Sequence, residues 1–186
     1  MFRELLLRRV SGFCQLSTAQ VDQLRQHYEL MLRWNKTINL TRIEGLEEAV
    51  DRHYAESLFV GANLPSGLLK VADVGSGAGF PGFPIAVLRP EVSVTLIESH
   101  HRKGVFLKEA SRGLQNISVM SKRAEDVDVA FDWVVSRAVS WGDIQLFGAR
   151  LAPKLALLCN FPIVAADQVL PLPWDSHRIL TFHVKH

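Results

Sequence analysis

Cysteine is scarce: Cys14 and Cys159 are the only two in 186 residues, far apart and without ligand-like spacing. That argues against a disulfide scaffold or a zinc site and fits reduced thiols in a cytoplasmic protein. Long apolar runs are also missing. Leu5-Leu6-Leu7 is too short for a secretory core and runs into Arg8-Arg9, and nothing approaches the ~18 apolar residues of a membrane span. No charge sign dominates. A net charge of +2 does not announce a nucleic-acid binder, so any basic surface has to be local. Neither an internal repeat nor a low-complexity segment is present, and the seven histidines are scattered, with no Ser/His/Asp or Cys/His arrangement. A soluble cytoplasmic chain without membrane or metal partners is expected, with a monomer as the expected state.

What is present is a hydrophobic fraction of 48%, in the range for a globular core, on a length that suits one domain with a small extension. Leu16, Val21, Leu24, Tyr28, Met31 and Leu32 recur at helical spacing, predicting a helix from about Leu16 to Leu32. Ser17 or Thr18 is its expected cap, with Gln20 completing a capping box on Ser17. A second helix is expected over Gly45 to Ala62, closed by Leu64-Pro65-Ser66-Gly67. Beyond this break strands alternate with helices. Strands are predicted at Leu68–Val74, Val92–Ile97, Asn116–Met120, Asp132–Val135, Leu155–Cys159 and Ile179–Val184. Helices are predicted at Phe83–Leu88, His101–Gly113 and Trp141–Leu151, with a turn or short helix at Ser121–Asp126. Such alternation gives an α/β fold, a mostly parallel sheet covered on both faces. The division expected is a helical extension over 1–66 and a core over 67–186.

The chain is organised around Asp73-Val74-Gly75-Ser76-Gly77-Ala78-Gly79-Phe80-Pro81-Gly82, where a buried strand runs into a glycine-rich turn. Glycine removes the Cβ that would keep backbone away from a ligand, and ligands of open α/β sheets bind at the carboxyl ends of the strands. A dinucleotide fingerprint, G-x-G-x-x-G, would need glycine at Phe80. The pattern present, Asp-x-Gly-x-Gly-x-Gly, resembles the first motif of S-adenosylmethionine-dependent methyltransferases. Three other strand ends are notable. Glu98 ends the second strand about 20 residues past the loop, the spacing at which an acid accepts ribose hydroxyls. Ala124-Glu125 follow the third strand, either bordering an adenine ring or capping a surface helix. Arg137 ends the fourth, where a guanidinium holds a carboxylate or steers a phosphate.

Trp34-Asn35-Lys36-x-x-Asn39-Leu40-Thr41, Arg52-His53, the glycine loop, Arg123-Ala124-Glu125 and Ser136-Arg137-Ala138 occur together and in order. In this the chain closely resembles the bacterial 16S ribosomal RNA methyltransferase G family, also called glucose-inhibited division protein B, from about Leu16 to Val139. The resemblance implies a class I, Rossmann-like methyltransferase with an N-terminal helical extension, methylating N7 of a guanine in small-subunit ribosomal RNA. Carried over by position, the cofactor contacts are Gly75, Phe80, Ala124, Glu125 and Arg137, with Glu98 on the ribose as in related folds; Gly77 joins them as a residue of the glycine loop. The chain departs from the family at Glu98 and Glu56, each standing where aspartate is frequent. It departs also at Arg102-Lys103, usually Lys-Arg, and at Leu158-Cys159-Asn160, often Leu-Lys-Gly.

N7 of guanine already carries an unprotonated lone pair, so no general base and no catalytic side chain is expected. RNA has to be held by local positive charge. Lys36, Arg102, Lys103 and Arg123 are the expected contacts among a wider set that includes Arg8, Arg9, Arg33, Arg42 and Lys122. Trp34 is either a base-stacking residue or core. His53 is expected to be packed and hydrogen-bonded, and His100-His101 to lie on the surface. Two other readings stay open: a methyltransferase of this fold with another acceptor, and a non-catalytic RNA-binding relative.

Overall fold

A computed structural model describes residues 1–137, 139, 141–160 and 166–184. Ala138, part of one of the motifs, lies outside the described residues. The chain opens with a helix that the sequence reading missed, α1 (Phe2–Val10). Phe2, Leu6 and Val10, one turn apart, form its buried stripe. α2 (Thr18–Asn35) begins on the expected cap: Ser17 Oγ accepts from Gln20 N and Gln20 Oε1 accepts from Ser17 N. The predicted second helix is three segments in line: α3 (Leu46–Ala49), a π-helical turn (Val50–Ala55) and α4 (Glu56–Asn63).

The alternation that follows matches the prediction to within a few residues: β1 (Lys70–Val74), α5 (Gly82–Leu88), β2 (Ser93–Ile97), α6 (His101–Ala110), β3 (Ile117–Met120), a 3-10 turn (Ala124–Asp126), β4 (Trp133–Arg137), α7 (Trp141–Leu151) and β5 (Lys154–Cys159). β6 (Gln168–Leu172) was not foreseen, and β7 (Asp175–Val184) starts four residues earlier than Ile179. The sheet order is β3-β2-β1-β4-β5-β7-β6. The first five strands are parallel, and β7 and β6 return antiparallel. Pro171 is tolerated in β6 because that strand is an edge, where a missing N–H leaves no gap in the ladder.

Strand order reverses between β1 and β4, so their carboxyl ends open a crevice. One face of the sheet packs on α7 through Ile144, Phe147 and Leu151 against Val74, Val134 and Leu157. The other face shares one apolar interior with the N-terminal helices. Leu6, Leu24, Met31, Tyr54 and Leu58 sit with Phe83, Leu96, Phe106 and Leu158 in a single cluster. No helix among the described residues is long and apolar enough to cross a membrane.

Candidate cofactor site

The glycine loop is held from every side. Gly75 N and Ser76 N both donate to Ile97 O at the end of β2, 3.0 and 3.2 Å. Ser76 Oγ donates to Asp73 O, 2.9 Å. Gly79 N and Phe80 N turn back to Ser76 O, 2.7 and 3.0 Å. From the helical side, the Nε2–H of His27 donates to Ala78 O at 3.0 Å while its Nδ1 accepts from the Tyr54 hydroxyl at 2.9 Å. A carbonyl can only accept, which settles this tautomer. Gly75 and Gly77 take φ of +72° and +57°, the left-handed region that side chains rarely adopt.

Beside this loop lies a 190 Å³ cavity. Val74, Gly75, Ala124, Val139 and Phe147 contribute apolar walls, and Lys122, Arg123 and Glu125 a polar side. Three expected cofactor residues, Gly75, Ala124 and Glu125, are thus brought together, with the RNA candidate Arg123. Glu98 is buried and engaged with the loop: Oε2 accepts from Gly77 N at 2.9 Å and Oε1 from His100 N at 2.8 Å. As it stands the carboxylate braces the loop against the end of β2, and a ribose would have to replace these backbone donors.

Phe80 and Arg137 form a second group on the other side of the loop. The Phe80 ring is buried and lies parallel to His53, centroids 4.5 Å apart, with Tyr54 and His27 edge-on. Arg137 sits over the same ring, 5.4 Å from its centroid. Its Nη1 donates to Arg52 O and its Nη2 to His53 Nδ1, the latter at 2.8 Å. Since that donation fixes Nδ1 as an acceptor, His53 Nε2–H donates to Thr41 Oγ1, 2.8 Å, which also accepts from Ile43 N. Thr41 of the Asn-Leu-Thr segment, Arg52-His53 and Arg137 are one hydrogen-bonded chain, although Thr41 and Arg137 are 96 positions apart in the sequence. His53 is the packed, hydrogen-bonded residue expected.

Lys36 is exposed at the end of α2, and Arg102 and Lys103 share the first turn of α6. His100 and His101 are exposed, as expected. Trp34 is half-buried, its indole N–H donating to Glu109 at 3.2 Å and its ring edge-on to Phe106, which favours the core reading over a stacking platform. Two residues with no assigned role in the sequence stand out here. His27 was hidden inside an ordinary apolar helix face. Asp73 was visible in the motif: it is fully buried, Oδ2 accepts from Gly82 N at 2.9 Å, and Oδ1 has no partner among the described residues.

Burial pushes the Asp73 carboxyl up to about 7, against the opposing hydrogen bond from Gly82 N. Burial pulls His27 down to about 3, and burial with the facing Arg137 does the same to His53. Below the ordinary histidine pKa the unfolded chain takes up two protons that the folded chain refuses, so stability falls as pH drops from about 6.5. Asp73 acts in the opposite sense: between about pH 4 and 7 the folded chain keeps a proton the unfolded chain has shed, so rising pH costs stability there. Two histidines outweigh one carboxyl. These groups place maximum stability near pH 7, with a loss of about 1.4 kcal/mol per unit between about pH 6 and pH 4. Urea midpoints measured from pH 4 to 8 check this, and a loss about twice as steep below pH 6 would remove the Asp73 proton from the account.

A family model described as rRNA small subunit methyltransferase G matches residues 20–146. The Ribosomal RNA small subunit methyltransferase G of Xanthomonas oryzae is 38% identical over 172 residues, covering 88% of this chain and 80% of that one. The protein of the same name from Halorhodospira halophila is 41% identical, covering 91% and 82%. Among solved structures, a SAM-dependent methyltransferase from Aquifex aeolicus aligns with TM-score 0.56 at 14% identity, covering 73% of this chain and 91% of that one. Fibrillarin from Aeropyrum pernix, with natively bound S-adenosyl-L-methionine, aligns with TM-score 0.54 at 14% identity, covering 70% and 73%. At such identities the shared property is the class I methyltransferase fold. The match to the family model and the curated relatives is far closer, and by it the chain belongs to the rRNA small subunit methyltransferase G family.

Proposed function

We propose that this S-adenosylmethionine-dependent methyltransferase transfers its methyl group to N7 of a guanine in 16S ribosomal RNA of the small subunit. The observation that carries the reading is the glycine loop pinned open at the β1/β4 crevice beside a cavity with apolar walls and a polar side. Bound there, the cofactor supplies a methyl group on a sulfonium, ready for in-line displacement. Gly75, Ala124 and Glu125 receive its adenine end, Gly77 and Glu98 its ribose, and the backbone at Phe80 with Arg137 its amino-acid end. Residues 1–66 serve as the helical extension and 67–186 as the methyltransferase core, and Lys36, Arg102, Lys103 and Arg123 engage RNA.

The chain has no proton to remove, because N7 presents a free lone pair at neutral pH. What its residues do is hold two reactants in line and keep water out, which supplies the rate through orientation and desolvation. The bracing of the loop by His27, Ile97 and Glu98 serves that purpose, since a rigid cradle loses little entropy when filled. The target guanine has to leave its stack to reach the crevice.

The test is methyl transfer from radiolabelled cofactor to small subunits and RNA lacking the modification. Recovery of label as 7-methylguanosine from 16S RNA is the expected result; cofactor binding without label in RNA would point to another acceptor. Gly75→Asp is expected to lower cofactor affinity at least 100-fold by calorimetry. Its Cβ would lie 3.1 Å from Val139 Cγ2 at φ +72°, carrying a charged group to the cavity wall. At about 1.4 kcal/mol per tenfold, that loss corresponds to roughly 3 kcal/mol. Unchanged affinity would remove the loop from the site.

A further inference from the structure

Arg8 and Arg9, members of the wider set of basic residues the sequence offered for RNA, line a second cavity. It measures 490 Å³ and is lined also by Gly12, Phe13, Pro173 and Trp174. Its place in the fold follows from strand register. Cys159, the last residue of β5, pairs with Ile179, so Asp175 to Arg178 of β7 run past the carboxyl end of β5. Pro173 and Trp174 join this overhang to β6, on the same edge of the sheet as the cofactor crevice, two strands beyond β4.

The overhang is fixed to the N-terminal helices. Arg178 donates from Nε and Nη2 to the two oxygens of Glu56, 2.9 and 2.7 Å, and from Nη1 to Asn160 Oδ1 at 2.5 Å. Trp174 stacks on Phe13, centroids 5.4 Å apart at 20°, and stands edge-on to Phe59. It remains half-exposed where it lines the cavity. The two arginines differ. Arg9 is held bidentately by Asp51 at 2.6 and 2.7 Å. Arg8 is exposed and has no carboxylate partner among the described residues.

An aromatic wall with an unpaired guanidinium at its mouth matches a nucleotide: the base lies against an aromatic side chain and the phosphate meets the cation. We infer that the cavity between α1 and the β6–β7 turn receives one nucleotide of the RNA strand flanking the target guanine, with Trp174 and Phe13 taking the base and Arg8 the phosphate. This rests on the RNA substrate proposed above. It extends the RNA track from the crevice across β5 and β7 to the first helix, and it gives the α1 helix a part in substrate recognition.

The test uses the full chain with small-subunit RNA at several salt concentrations, wild type beside Arg8→Gln, Trp174→Leu and Trp174→Phe. Arg8→Gln is expected to flatten the slope of log affinity against log salt by about 0.7, the share of one single-strand phosphate contact. Trp174→Leu is expected to weaken RNA binding about tenfold, with Trp174→Phe restoring most of it because a phenyl ring still stacks. Cofactor affinity and thermal midpoint should stay at wild-type values in Arg8→Gln. An unchanged salt slope in Arg8→Gln, while the wild type binds and methylates RNA, overturns the inference alone. Failure of the wild type to bind RNA overturns the substrate reading and the inference with it. Should Trp174→Leu lower the thermal midpoint, Arg8→Gln decides.

Discussion

Replacing Glu56 with Gln is expected to lower the unfolding free energy by about 3–5 kcal/mol, the range for breaking a buried ion pair by removing one partner. Glu56 is 1% exposed and stands within ion-pair distance of three guanidinium groups. Arg178 binds both of its oxygens, Arg52 Nε stands 3.4 Å from Oε1, and Arg137 Nη1 stands 3.7 Å from Oε2. A neutral amide of the same shape keeps one or two hydrogen bonds and removes the charge. Arg137 and Arg178, both largely withdrawn from water, would then face each other without a counter-charge, with Arg52 at the solvent rim, and their repulsion adds to the lost attraction. Pairing Glu56→Gln with Arg178→Met should recover part of the loss, since the second change removes one of the stranded cations; residues in one network couple in this way. Urea unfolding of the two single variants and the double variant measures it. A loss under about 1 kcal/mol in Glu56→Gln would put the cluster in the class of solvated surface pairs.

The second large effect is expected at Gly82, the last residue of the motif. It sits at the first turn of α5 with backbone angles open to other residues, so the constraint is space rather than conformation. A Cβ there would overlap Leu96 Cδ2 and lie 2.7 Å from Asp73 Oδ2 and 2.8 Å from Asp73 Cβ. These neighbours belong to the middle of the sheet and cannot retreat without moving β1 or β2. The Gly82 N–H also supplies the one hydrogen bond that Asp73 Oδ2 receives. A shift that relieves the clash stretches this bond and leaves the buried carboxyl with no donor. Overpacking costs about 1–3 kcal/mol and an orphaned buried polar group about 1–3 more. Gly82→Ala is therefore expected to destabilise by about 3–5 kcal/mol. Gly12→Ala is the control, because a Cβ there meets nothing within 4 Å, and surface changes of that kind stay within about 0.5 kcal/mol. Equal midpoints for the two alanine variants would mean that α5 can slide on the sheet.

Much of the architecture was legible because its signals are local. A capping box spans four residues, and an apolar run ending in glycines marks a strand and its turn whatever lies elsewhere. The α1 helix was legible too. Phe2, Leu6 and Val10 repeat at helical spacing, but Leu5-Leu6-Leu7 drew the reading toward export signals. β6 was not legible: Gln168-Val-Leu-Pro-Leu172 has little alternation and contains proline, and it is a strand only because β7 offers it a partner. The π-helical turn leaves no local mark either. Val50 to Ala55 reads as ordinary helix, yet in the fold the Arg52 carbonyl accepts from Arg137 and the His53 carbonyl from Ser57 Oγ.

By itself the sequence determined the strand–helix alternation, the glycine loop, the family and the class of cofactor, since each is written in residues close together in the chain. Only the tertiary structure decided how the candidate site is assembled. Arg178 reaches Glu56 across 122 positions, Arg137 reaches His53 across 84, and His27 reaches Ala78 across 51. It also separated the expected cofactor residues into a cavity group around Gly75 and a helix-facing group around Arg137. The physical reason is that a buried charge or a buried polar ring is tolerated only where a partner is brought to it. That partner comes from chain distant in sequence, which periodicity and motif spacing do not encode.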